Sequence, residues 1–486
     1  MNCKKKALFL IPASMHSKNV ARDLLYGCWC KGKRIAGIQF PPLSQVLAAT
    51  VVRDSGIPVD VIDAGAMGLS IPDLQGRIGD YFCVVILTSN MTYNEDVQLL
   101  SLLKARNGGL ISIVYGGFVT ALPDAALKRS SVDVVVRREP EITVRSVVER
   151  IYRGEDIENI KGISYRGKNG LCHNEDAALI EDLDSLPAPD RRLLPANIDY
   201  FNPIVKRMPF TTMFTSRGCP GQCTFCSSPT FYGRKIRFRS AESVLGEIGL
   251  VMDMGYREVF FRDEIFSVSR QRVFDICEGI LRNGYAFSWI CSARIGTLDR
   301  EMMQIMKRAG CHMIRLGVES GVQRLLDNVK KGIKIEQTVE TFRLAREAGL
   351  DTHAHMMIGL PGETKETLKE TARFIIKIDP TIATFGIMTP YAGTPLFEQL
   401  IKKYPELGDT TQADLGTLHT KSFYNEYFTD MKGEDLAGYI HKIYKKFYLR
   451  PSYVLKWMGR ITSLEELKRV SLAATQVIDF ALSKRS

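Results

Sequence analysis

Gly218-Cys219-Pro220-Gly221-Gln222-Cys223-Thr224-Phe225-Cys226 places three cysteines within eight residues, whereas the other eight cysteines are scattered over a 486-residue chain. Three thiolates on one short loop can each take one iron of a 4Fe-4S cluster. With no fourth cysteine at close spacing, one iron stays open to an exchangeable ligand. A structural zinc site needs four nitrogen or sulfur ligands, and the next candidates, Cys277 and His312, lie far outside finger spacing. Disulfide pairing fits poorly with eleven cysteines, an odd number, and with an N-terminal apolar run, Ala7 to Ile11, too short for a signal-peptide core. A reducing, cytoplasmic setting is the expectation.

Outward from the loop, the chain repeats one unit from Thr211 to about Met388. Strands are expected at Thr211 to Thr215, Glu258 to Arg262, Phe287 to Cys291, Met313 to Gly317, Thr352 to Ile358 and Ala383 to Met388, with helical segments between them. Gly255, Gly284, Gly310 and Gly349 each follow a helix, where a left-handed cap is wanted. Six strand-helix units make a partial barrel, and such barrels hold their chemistry at the carboxyl ends of the strands. The cysteine loop follows the first of these strands.

Upstream, five short apolar runs alternate with helical patterns: Ala7 to Ile11, Val59 to Ile62, Cys83 to Leu87, Ile111 to Tyr115 and Val132 to Val136. They describe an open parallel sheet with helices on both faces, whose ligands bind beyond the carboxyl ends of the strands. Those ends carry Thr88-Ser89-Asn90, Gly116-Gly117 and Arg137-Arg138-Glu139. The glycine pair either lets backbone approach a ligand closely or makes a turn. The domains expected are therefore a Rossmann-like unit over 1–153, a hairpin around Asn169-Gly170 with a proline-rich linker over 154–210, the barrel over 211–400, and a helical region over 401–486.

A parallel five-stranded domain directly ahead of a three-cysteine loop resembles the cobalamin-binding radical S-adenosylmethionine enzymes, and the match covers nearly the whole chain. The resemblance implies an α/β chain in which Cys219, Cys223 and Cys226 hold the cluster and S-adenosylmethionine chelates its open iron. Phe225 then lies beside the cluster, Asp263 or Glu264 receives the methionine ammonium, Arg294 its carboxylate, Glu319 or Ser320 the ribose side, and the strand containing Met357 the adenine. Thr88, Ser89, Gly116, Gly117 and Glu139 flank cobalamin. The chain departs from the family twice. No histidine occurs between His16 and His173, so cobalamin would lack a histidine lower ligand. Where the family often reads Gly-Glu-Gly-Glu, this chain has Arg138-Glu139-Pro140-Glu141.

Competing readings stand beside several of these residues. Asp263 also suits a helix cap, and Arg294 with Glu319 a salt bridge. His353 and His355 share a strand face without a third metal ligand, so His355 reads as a neighbour of substrate or cofactor. Pro390-Tyr391-Ala392-Gly393-Thr394-Pro395 resembles an element of cobalamin-dependent members acting on lipids and pigments, with Tyr391 facing the site; turn chemistry explains it equally. Tyr26 to Gly37, with Cys28-Trp29-Cys30, is either a cofactor-contacting lid or a plain surface loop.

The reaction the resemblance implies is methyl transfer to an unactivated carbon by way of a 5'-deoxyadenosyl radical and methylcobalamin. Alternatives are ring formation, carbon-carbon bond formation or oxidation without methyl transfer, and, more remotely, a non-catalytic cobalamin and iron-sulfur regulator. Expected partners are a small-molecule or lipid substrate and an electron donor such as flavodoxin or ferredoxin. Net charge is +11, yet no run of five like charges marks a nucleic-acid arm. The basic, aromatic segment Tyr439 to Arg450 suits an anionic membrane surface, a cover for the barrel mouth, or ordinary packing with solvated cations.

Overall fold

The computed structural model describes residues 5–14, 39–195, 198, 200–409, 425–458, 471 and 475. The Cys28-Trp29-Cys30 loop lies outside the described residues, as does most of the chain beyond residue 458.

The first sheet contains β1 (Lys6–Ile11), β2 (Val59–Asp63), β3 (Tyr81–Leu87), β4 (Ile111–Tyr115), β5 (Val134–Val136), β6 (Ile163–Gly167) and β7 (Gly170–His173). Its order is β2-β1-β3-β4-β5-β6-β7. The first five strands run parallel, and their unbroken aliphatic runs are covered on both faces, giving two separate apolar clusters. The hairpin expected in the connecting stretch adds two antiparallel strands to this sheet, pairing Val134 to Val136 with Ile163 to Tyr165. Without it, the short β5 would present an open edge.

A two-stranded ribbon and a second sheet follow. Their strands are β8 (Phe210–Met213), β9 (Ser216–Arg217), β10 (Arg237–Phe238), β11 (Glu258–Phe261), β12 (Ser288–Ala293), β13 (Cys311–Glu319), β14 (Asp351–Ile358) and β15 (Ile382–Ile387). The second sheet is parallel throughout, ordered β15-β14-β13-β12-β11-β8, with helices in the crossovers: a partial barrel. Each of the four glycines expected to end a helix adopts positive φ, between 65° and 96°. Trp289 is fully buried in the barrel core, where its indole N–H donates to the Ala309 carbonyl at 2.7 Å.

The helix Gly433–Tyr448 turns its aromatic side toward β15, the edge of the barrel. Tyr448 Oη donates to the Ala383 carbonyl at 2.6 Å and accepts from its N–H at 3.1 Å. Tyr444 Oη accepts from Phe385 N at 3.3 Å. Tyrosine hydroxyls thus satisfy backbone groups that the edge strand would otherwise leave open. Of the three readings of this segment, the described residues show packing, with Lys442, Lys445 and Lys446 exposed on the far side. No described helix is long and apolar enough to cross a membrane.

Candidate active site

The carboxyl ends of β8, β11, β12, β13 and β14 and of the first-domain strands β3 and β4 open onto one cavity. Cys219, Cys223 and Cys226 form part of its wall. The cysteine loop leaves β8 through the ribbon of β9 and β10, paired at Arg217 and Arg237. Gly218 turns the chain at φ +92°, and any Cβ there would stand 2.2 Å from the Lys235 carbonyl oxygen. Burial pushes the Cys219 thiol up and the Cys226 thiol up to about 12, so thiolates here need positive charge among them. Among the described residues no three His, Cys, Asp or Glu side chains converge as the ligands of a single metal ion. Three thiols on one cavity wall can each take one iron of a cluster.

Asp263 and Glu264, adjacent in sequence, point to different tasks. Asp263 is fully buried and accepts from the N–H groups of Thr215 at 2.7 Å and Ser216 at 3.2 Å, and from the Thr215 hydroxyl. It anchors the entry to the cysteine loop, and its oxygens are taken. It caps no helix either: the helix Arg270–Arg282 is capped by Ser269. Glu264 lines the cavity, with the Ser228 hydroxyl donating to it at 3.2 Å. Burial pushes its carboxyl up to about 8, a cost that a cation in the cavity would relieve.

Arg294 and Glu319 both line the cavity without pairing. The Glu319 carboxylate instead receives Lys331 Nζ at 2.6 Å, while the Arg294 guanidinium donates to the Lys331 carbonyl. The register between β13 and β14 shifts between Gly317 and Glu319, where Glu319 adopts φ +63°. Lys331 also stands 5.9 Å from the centre of the Phe225 ring, another cavity residue. Lys331 carries no motif of its own; its one mark in the sequence is a lysine pair before Gly332. Ser320 turns away, fully buried, with its hydroxyl 3.1 Å from that of Thr371. Met357, His355 and Tyr391 reach the cavity.

From the first domain come Thr88, Ser89, Met91, Gly117 and Phe118. Thr88 Oγ1 donates to Asp96 at 2.8 Å, and the Ser89 and Thr92 hydroxyls lie 3.1 Å apart, which stiffens the loop after β3. Gly116 does not line the cavity but is the reason Gly117 does. Its φ is +138°, and a Cβ would stand 2.1 Å from the Thr88 carbonyl oxygen, so only glycine lets the two loops touch. A Cβ on Gly117 would meet nothing within 4 Å. The two loops form a bare backbone cradle of the kind a large cofactor tail can occupy.

Glu139 is placed elsewhere. It is 5% exposed and accepts from Arg217 at 3.2 Å, Arg237 at 2.8 Å and Ile180 N at 2.7 Å. Glu141 takes the other side of the Arg217 guanidinium in a two-pronged contact at 2.6 and 3.1 Å. Glu139 thus joins the first domain to the ribbon that carries Cys219. Arg138 keeps the left-handed turn at φ +65° where the related pattern has glycine, with its N–H donating to Thr120 Oγ1 at 2.9 Å.

Comparison with known proteins gives four similarities. The profile of the radical SAM superfamily matches residues 213–375. An uncharacterized methyltransferase of Pyrococcus horikoshii is 32% identical over 87% of this chain and 91% of its own length. The anaerobic magnesium-protoporphyrin IX monomethyl ester cyclase of Cereibacter sphaeroides is 30% identical over 68% of this chain but only 53% of its own. Among solved structures, the cobalamin-dependent S-adenosylmethionine radical enzyme OxsB shares the fold, with TM-score 0.70 and 17% identity over 98% of this chain and 72% of that one.

Proposed function

The chain belongs to the cobalamin-binding radical S-adenosylmethionine enzymes, and on that premise we propose that it transfers a methyl group to an unactivated carbon of a small-molecule or lipid substrate. When bound, the cluster supplies the electron that cleaves S-adenosylmethionine to a 5'-deoxyadenosyl radical, and cobalamin supplies the methyl group. What carries the reading is one juxtaposition. Backbone of the first domain at Gly117 and the thiols of the barrel loop face a common cavity, so both cofactors would act on one substrate.

In this reading the protein binds, orients and shields. Cys219, Cys223 and Cys226 hold the cluster, beside Phe225. Glu264, now in place of Asp263, receives the ammonium of S-adenosylmethionine, and Arg294 its carboxylate. Glu319, held by Lys331, takes the ribose hydroxyls, and the backbone beside Met357 the adenine. Thr88, Ser89 and Gly117 cradle the cobalamin tail. His355 and Tyr391 remain for the substrate. Reduction calls for an electron donor of the flavodoxin or ferredoxin class.

The relative from Pyrococcus horikoshii, matched over nearly all of its length, favours methyl transfer. The cyclase, matched over about half of its own, keeps ring formation as the second reading. Reconstituted protein should be given methyl-labelled S-adenosylmethionine, a reductant and a small-molecule and lipid extract. Label is expected in a product; a product without label would establish ring formation or oxidation instead. Replacing Cys219, Cys223 and Cys226 with Ala should abolish 5'-deoxyadenosine, and survival of that product would sink both readings.

A further inference from the structure

Pro220 and Gln222 are exposed and Gly221 is partly so, yet none of the three lines the cavity that Cys219, Cys223 and Cys226 help to wall. The cysteine loop therefore has two sides, one toward the cavity and one toward solvent. On the solvent side the cover over two of the sulfurs is a single residue thick. A Cβ added to Gly221 would stand 3.2 Å from Cys219 Sγ and 3.8 Å from Cys223 Sγ.

Two segments flank this cover, and both bring cations. On one side Cys219 N donates to the Gly233 carbonyl at 3.3 Å, and the next two residues, Arg234 and Lys235, are exposed. Arg234 Nη1 donates to the Gly221 carbonyl at 2.9 Å, which lays the guanidinium on the loop itself. On the other side Thr224 N donates to the Val329 carbonyl at 3.0 Å, and Lys330 follows, exposed, with Lys334 four residues further on. Lys235 pairs with Glu181 at 2.5 Å and Lys334 approaches Asp327 at 4.0 Å. Among the described residues, neither Arg234 nor Lys330 has a carboxylate within 4.0 Å. A guanidinium resting on a carbonyl keeps its whole charge, so positive charge is left over where the cover is thinnest.

Building on the reading of this chain as a radical S-adenosylmethionine enzyme, whose cluster must be given an electron, we infer that the solvent side of the cysteine loop is the dock of the electron donor. The donor is a small one-electron carrier protein with an acidic surface, seated between Arg234 and Lys330. Electron transfer asks for a short path, which the Gly221 backbone supplies. Recognition asks for complementary charge, which the two unpaired cations supply. A nucleic acid would satisfy the charge but has no electron to deliver. In the step no bond forms or breaks: the carrier's flavin or iron is oxidised by one electron and the cluster is reduced by one. The donor reaches the sulfurs without entering the cavity that substrate and cofactors share. Attraction between exposed charges acts chiefly on the rate of encounter and is screened by salt.

The test uses holoprotein with its cluster oxidised, and a purified flavodoxin and a purified 2Fe-2S ferredoxin, both acidic and oxidised, as separate probes. Calorimetric titration should show at least one of them binding, more weakly as sodium chloride rises from about 50 mM to about 0.5 M. Arg234→Glu combined with Lys330→Glu should weaken that binding by roughly tenfold and slow bleaching of the cluster by the reduced carrier in stopped flow. Lys330→Glu alone, which leaves the Arg234 contact with the loop intact, should show part of the same loss. Lys445→Glu changes a helix packed on β15, at the opposite edge of the barrel sheet from β8, and should bind as wild type does; it separates this strip from the general basicity of the chain. Bleaching by dithionite, which needs no dock, should be alike in all variants. The inference is overturned if neither carrier binds, if the double variant binds within roughly twofold of wild type, if Lys445→Glu loses as much, or if an RNA oligonucleotide binds the strip and neither carrier does. Wild-type protein is also assayed for 5'-deoxyadenosine with dithionite: its absence would mean that the enzyme reading itself had failed, whereas its presence with no carrier bound would condemn the inference alone.

Discussion

Arg217→Met removes one guanidinium from a buried four-residue cluster that joins the two domains. Arg217 and Arg237 come from the ribbon flanking the cysteine loop, Glu139 and Glu141 from the turn and helix after β5, and the four are between 2% and 5% exposed. Two positive and two negative groups balance. After the substitution, Glu139 keeps Arg237, but Glu141 loses both of its contacts with Arg217. A carboxylate stranded in this way costs about 3–5 kcal/mol, a large part of the ~5–15 kcal/mol that holds an ordinary domain together. Burial alone pulls the Arg217 guanidinium down, yet the neighbouring carboxylates, Glu141 foremost, raise it overall. Urea unfolding with linear extrapolation should show the loss. The double variant Arg217→Met with Glu141→Leu, which removes both charges, should recover most of it, since matched apolar replacement of a buried pair is often neutral. A single variant within about 1 kcal/mol of wild type, or a double variant no better than the single, would refute the claim that this cluster holds the cysteine loop against the first domain.

Glu363 gives a pH signature. It is buried, accepts from the N–H groups of Gly359 and Leu360, and burial pushes its carboxyl from 4.5 up to about 7. The folded state then holds a proton that the unfolded chain has released, so stability should be full below about pH 4.5, fall through the interval to pH 7 by on the order of 3 kcal/mol, and level off above it. Glu363→Gln should flatten that slope in urea titrations at several pH values, and an unchanged slope would assign it to other groups. Gly116→Ala forces a Cβ to 2.1 Å from the Thr88 carbonyl at φ +138° and should cost about 1–3 kcal/mol, together with retention of cobalamin on gel filtration. Gly117→Ala meets nothing within 4 Å and should leave urea stability within ~0.5 kcal/mol of wild type; equal losses at both positions would refute the close-approach explanation.

Strands and their carboxyl ends were legible because apolar runs and glycine caps are local signals, and the residues that follow a parallel strand inherit its direction. That is why the cysteine loop, Thr88-Ser89 and Gly117 are legible as strand ends of their two sheets, with Arg294 and Met357 added by the family resemblance; that all of them line one cavity is what the structure adds. What local signals could not settle was which member of a polar pair looks inward. Asp263 and Glu264 are chemically alike, and only the position of Thr215, 48 residues earlier, consumes the first and leaves the second. Glu139 was expected beside a ligand because its strand end belongs to the site, but two arginines from the ribbon reach it first. The pairing of Glu319 with Lys331 joins two residues 12 positions apart across a short helix and turn, which leaves no mark on periodicity. Arg138 shows the same dependence on distant structure in the opposite sense. A non-glycine residue holds φ +65°, a conformation costing roughly 1–2 kcal/mol, and a buried ion cluster begins at the next residue. The turn at Arg138 is tied by its N–H to Thr120 Oγ1 at 2.9 Å and runs directly into Glu139 and Glu141, so its shape depends on contacts that lie far away in sequence.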